Sequence, residues 1–196
     1  MRRYLYQRWT RRKKIQSVPL SIEVLDGYNK TIFNKRKDKN EAVLEESAKY
    51  AHDNNLIYFV TVVEGEIPIS HIETNKGFFR VGFLDDLKRT YMSYTFNGFD
   101  ESSSWQKEIP ENKLFLSTVN IWEFKDDNEK AYKTISYVFT IDGQLTIIER
   151  NTQTDEQMEK QAKDKIDISA NWEDYPKFGE YDNLIQKERG VKLFTV

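Results

Sequence analysis

The 196 residues are 32% charged and 14% aromatic, a composition that argues against disorder and suits one domain whose core needs no metal or disulfide staple. There is no cysteine, so disulfides, thiolate nucleophiles and cysteine-ligated zinc are excluded together. The net charge of −2 hides a split: residues 1–39 carry twelve Lys/Arg against Glu23, Asp26 and Asp38, a balance of +9 that leaves −11 on the rest of the chain.

No apolar run approaches the roughly 20 residues of a membrane span. The basic start has no apolar stretch behind it, so a secretory signal is not expected, and a cytoplasmic protein is the economical reading. The chain is expected to form a single domain over 1–196, with a basic arm at 1–16, a body at 17–166 and a docked tail at 167–196.

Residues 2–14 hold seven basic side chains and no acid, with Tyr4, Leu5, Tyr6 and Trp9 among them. Aromatics interleaved with arginines could stack on bases, but a basic terminal segment is ordinarily a solvated, frayed end. The acidic body opposes phosphate approach, so no specific nucleic-acid binding is expected. Residues 18–25 alternate Leu20, Ile22 and Val24 and predict a strand, which Pro19 places at a sheet edge or strand start. Residues 38–54 predict a helix, with Asp38 and Glu41 spaced as a capping box and Leu44, Ala48 and Ala51 as its narrow apolar stripe.

Four strands are expected next, at 56–63, 66–73, 77–84 and 88–96, on loops too short for crossover helices. A fifth strand follows at 114–124. Residues 131–150 then predict a hairpin, in which Ile135, Tyr137, Phe139 and Ile141 alternate with Thr134, Ser136, Val138 and Thr140. Asp142-Gly143 predicts a type I′ turn between its strands. Thr154 with Gln157 reads as a second capping box, opening a helix to about 166 whose stripe is Met158, Ala162 and Ile166. The tail is dense in Trp172, Tyr175, Phe178 and Tyr181 and is expected to clamp onto the body, ending in a short helix over 180–188 with Gly190 at its C′ position. The expected fold is therefore α+β: a curved, mostly antiparallel meander of six to eight strands, two main helices packed on it, and an aromatic C-terminal tail.

The meander is interrupted at 97–112, sixteen residues without a periodic pattern. Long aperiodic connections are usually functional or disordered. This one carries Asp100, Glu101, Glu108 and Glu111 against Lys107 alone, with Trp105 in the middle. The four acids and Trp105 are the candidate partner-binding residues; the indole either anchors a partner or tucks into the body.

Catalytic grammar is sparse. There is no phosphate loop, G-x-S-x-G elbow or metal-binding helix motif. The two histidines are His52, near the end of the first helix, and His71 on a strand, too few for a histidine-rich metal site. Ser70 and His71 are adjacent on a strand and should face opposite ways, which argues against a nucleophile–base pair. No catalytic residue and no cofactor are expected. The alternative left open is a small-ligand-binding or hydrolytic domain using the concave face of the sheet.

The tail segment Asn171, Trp172, Glu173, Pro176, Phe178, Gly179, Tyr181 and Asp182, with the F-F-R-V-G-F-L-D stretch at 78–85 and the I-D-G at 141–143, resembles immunity proteins of bacterial polymorphic-toxin and contact-dependent inhibition systems. That resemblance implies a small cytoplasmic protein that binds one cognate toxin domain tightly, with no activity of its own and no membrane partner. An acidic body with an acidic, tryptophan-bearing loop would suit a basic partner such as a nuclease domain.

Overall fold

Local strand pairing dictates the architecture. A computed structural model describes residues 1–9, 41–75, 77–187 and 189. Ten strands and one α-helix follow in chain order: β1 (Arg2–Leu5), α1 (Glu41–Asp53), β2 (Tyr58–Glu64), β3 (Ile67–Asn75), β4 (Phe78–Leu84), β5 (Thr90–Asn97), β6 (Lys113–Glu123), β7 (Lys133–Phe139), β8 (Leu145–Asn151), β9 (Gln157–Gln161) and β10 (Trp172–Asp174). Strands β1 to β9 lie side by side in sequence order, every pair antiparallel, while β10 pairs with Lys113–Phe115 at the start of β6, ahead of the stretch that pairs with β7. Register shifts at Val62/Val63, Phe83/Leu84 and Thr95/Phe96 mark bulges, the ordinary means of adding local twist to so wide a sheet. No helix among the described residues is long and apolar enough to cross a membrane.

Period-two alternation gives the sheet two unlike faces. Val60, Ile72, Val81, Tyr94, Val119, Tyr137 and Ile147 form one cross-strand row, and the part of it from β2 to β6 is buried beneath α1 and the tail. The adjacent row on the opposite face is Thr61, His71, Gly82, Ser93, Asn120, Ser136 and Ile148. Ser70 belongs to the covered face and His71 to the other, so the two diverge as their spacing requires.

Three expectations need correction. Among the described residues the fold has ten strands rather than six to eight, and one main helix rather than two. The expected helix over 154–166 is the turn into β9: Asp155 takes φ +60°, the Thr154 hydroxyl donates to Glu156 rather than capping, and Gln157–Gln161 pairs with β8. Met158, Ala162 and Ile166 repeat every four residues, and a step of four keeps a side chain on one face of a strand as surely as of a helix. The expected helix over 180–188 is instead a run of turns through 182–185, in which Tyr181, Leu184 and Ile185 are buried.

The basic arm also differs from a frayed end, because Arg2–Leu5 is a paired edge strand. The hairpin at 133–151 is present, but its turn is not type I′. Gly143 alone takes positive φ (+91°), Gly143 N–H donates to Thr140 and Thr140 N–H to Gln144, the pattern of a type I turn closed by a glycine bulge. The expected strand at 18–25, the cap at Asp38 and Gly190 lie outside the described residues.

The tail docks through Asn171, Trp172, Phe178, Tyr181 and Asp182. Asn171 is fully buried and donates its amide to the Leu116 carbonyl (2.8 Å). Trp172 packs on Phe115 with ring centroids 4.9 Å apart, and Phe178 stacks on Tyr6 at 4.7 Å. Arg189 bonds Glu173 and the Ala170 and Asn183 carbonyls. Tyr181 is buried with its hydroxyl 3.2 Å from that of Tyr58, which in turn meets His52 Nδ1 at 2.9 Å. Asp182 accepts from Arg2 (2.7 Å) and from the Tyr4 hydroxyl (2.8 Å), so the C-terminal tail is clasped to the N-terminal strand.

Candidate functional site

At one end of the sheet, four chain segments that are remote in sequence enclose a cavity of about 750 Å³. Each is held by its own local chemistry. Helix α1 stops because Asn55 adopts φ +53°; Asn55 N–H donates to His52 and Leu56 N–H to Ala51 (2.7 Å), a Schellman closure with asparagine at C′. This brings the electronegative end of the helix, Asn54 to Leu56, to the cavity wall.

The floor is backbone. Gly77 (φ +77°) in the β3–β4 turn accepts a 3.0 Å bond from Gly98 N–H at the end of β5, and a Cβ on Gly98 would lie 3.0 Å from that same carbonyl. The 97–112 loop supplies Phe99, Asp100, Glu101, Ser102 and Glu111 to the lining. Asp100 Oδ1 accepts from Ser102 N–H (2.9 Å) and Oγ (2.7 Å), an Asx turn that fixes the loop tip. Opposite stands Tyr175, whose N–H donates to the Asn112 carbonyl and whose ring packs edge-on to Phe79. Burial raises the Tyr175 phenol above its ordinary value, and its hydroxyl donates to Asn55 Oδ1 (3.5 Å) across the cavity wall.

The five sequence-derived candidates therefore divide. Asp100, Glu101 and Glu111 converge on the cavity. Glu108 is exposed on the short 3₁₀ turn Gln106–Glu108 and is not in the lining. Trp105 is partly buried and packed against the core, where it holds the loop down with the fully buried Ile109. The exposed aromatic ring is Phe99, at 38% accessibility. Sequence reasoning missed Phe99 and Tyr175; the available signal was Gly98, since a glycine before an exposed aromatic marks close backbone packing beneath it.

A second, smaller cavity of about 470 Å³ lies by His71 and is walled by Trp9, Trp122, Phe124, Thr90, Lys88 and Glu129 among others. His71 Nε2 sits 3.2 Å from the Thr90 hydroxyl. Burial, with the Arg80 and Arg8 charges secondary, pushes the imidazole down to about 4, so it is neutral near pH 7. Arg89 is committed elsewhere, to Asp85, to the Asp126 and Asn128 carbonyls and to the face of Phe124.

Comparison of the chain with protein-family models, with curated proteins and with solved structures finds no match.

Proposed function

We propose that this protein is a cytoplasmic immunity protein that neutralises a cognate bacterial toxin domain by stoichiometric binding, with the cavity between α1, the β3–β4 turn, the 97–112 loop and Tyr175 as the docking site. The observation that carries this reading is the convergence of Asp100, Glu101 and Glu111 around the exposed Phe99 ring. Three carboxylates beside a helix C-terminus attract a basic element, and an aromatic ring at the rim gives its cation or aliphatic stem a surface to pack on. The −11 balance outside residues 1–39 adds long-range attraction for a basic domain such as a nuclease. At the other end of the sheet, Arg2 and Arg3 are engaged by Glu64, Asp182 and Glu66, which supports a structural role for these arm residues over specific nucleic-acid binding.

The test is binding kinetics of the full chain against the toxin domain encoded in the neighbouring reading frame. Reversing Asp100, Glu101 and Glu111 to lysine should slow association about 10-fold or more and flatten its salt dependence. Phe99→Ala should speed dissociation, and Glu108→Lys should do least. Unchanged rates in the triple variant would place the contact elsewhere. A second reading, a small-ligand site, is favoured by the three aromatic walls of the cavity beside His71. Ligand-induced stabilisation that Trp122→Ala abolishes would support it.

A further inference from the structure

Among the described residues β9 ends the sheet, and none of them pairs with its outer edge. Its five residues, Gln157 to Gln161, are all exposed, Met158 at 51%, and it pairs with β8 without a register shift. The hydrogen bonds fix which groups point outward. Ala162 N–H donates to Leu145 and Asn151 N–H to Glu156, so residues 156, 158, 160 and 162 turn their backbone toward β8. The N–H and C=O groups of Gln157, Glu159 and Gln161 consequently point away from the sheet.

We propose that β9 is a self-association edge, at which two copies of this chain join antiparallel about a twofold axis through Met158. Charge on an edge strand ordinarily deters pairing, and the side chains here leave one register open. Outward groups must meet outward groups, so a twofold axis runs through a residue paired with itself. An axis through Glu159 opposes two carboxylates, and one through Lys160 opposes two ammonium groups. An axis through Gln157 sets Asp155 against Glu159, with Asp155 held at φ +60° and unable to extend the strand, and one through Gln161 places half of the pairing on residues past the end of β9.

Through Met158 the arrangement is complementary. Gln157 and the second copy's Glu159 exchange both backbone bonds, and the symmetric pair does the same. The two Met158 side chains meet at the close, non-hydrogen-bonded position, and Glu156 lies opposite the second copy's Lys160 on both sides. This association is separate from the acidic cavity, whose lining includes no β9 residue.

The experiment is sedimentation of the full chain over a wide concentration range, paired with cysteine cross-linking. The weight-average mass should rise from 23.4 kDa toward about twice that value. Glu159→Pro removes an outward amide without touching the β8 ladder and should abolish the rise. Lys160→Glu should weaken association, and Lys160→Glu with Glu156→Lys should restore it. Because the chain has no cysteine, Met158→Cys reports the register directly and should oxidise to a disulfide dimer, whereas Glu159→Cys should not. A monomer at every concentration, cross-linking through Glu159→Cys in place of Met158→Cys, or self-association indifferent to Glu159→Pro would each overturn the proposal. So would β9 amides that gain exchange protection only when the toxin domain binds.

Discussion

Replacing Gly82 with alanine tests the closest approach between strands on the polar face. A Cβ at this position would lie 2.1 Å from His71 Nε2, 2.5 Å from Cε1 and 2.9 Å from Cδ2, because the imidazole occupies the space above the glycine opposite it. The ring must swing away and lose its contact with Thr90. Overpacking of this kind costs about 1–3 kcal/mol and the lost hydrogen bond about 1 kcal/mol more. For a chain of this length that corresponds to a Tm lower by roughly 5–15 °C in calorimetry.

A titration of the His71 imidazole by NMR supplies a second readout, since a displaced ring should move up from about 4 toward its ordinary 6.5. The same shift gives a pH dependence. Between pH 6.5 and about 4 the unfolded chain binds a proton at His71 that the folded chain refuses, so stability is full above the upper value and falls as pH drops through this window. The loss reaches at most about 3 kcal/mol, and Gly82→Ala should shrink it. Unchanged melting in Gly82→Ala, or costs that simply add in a double-mutant cycle with His71→Ala, would refute the reasoning.

Asn171→Ala removes the buried amide that Leu116 accepts from and should destabilise by about 1–3 kcal/mol in urea unfolding; a neutral result would mean that the carbonyl finds another donor. Trp172→Ala should cost about 2–3 kcal/mol, below the range for a fully buried indole because the ring is half-buried on Phe115, and full retention of the melting midpoint would place the ring outside the packing.

The sheet was legible where apolar and polar side chains alternate along the chain. Residues 133–151 declare a hairpin because Ile135 and Tyr137 face one way while Ser136 and Val138 face the other. β9 was not legible, since all five of its residues are exposed and leave no contrast between faces, while Met158, Ala162 and Ile166 fit a helix equally well. β1 was hidden by composition: Arg2 and Arg3 look like a solvated arm until Glu64, Glu66 and Asp182 are brought beside them by pairing. At the candidate site, the acids of the 97–112 loop could be named from local composition. Their convergence with Asn55, Gly77 and Tyr175 depends on strand order, which no local window contains.

The clasp between Arg2, Tyr4 and Asp182 bears on how the chain finds its structure. Neighbouring strands from β2 to β9 are joined by far shorter connections than the clasp spans, so their contacts can form early and spread hairpin by hairpin. The clasp joins residues 180 positions apart, and its loop-closure entropy is repaid only once the intervening strands stand in place. It should therefore contribute little to the folding barrier. Asp182→Asn should leave the refolding rate nearly unchanged and speed unfolding, so the clasp sets how long the assembled sheet persists rather than how quickly it assembles.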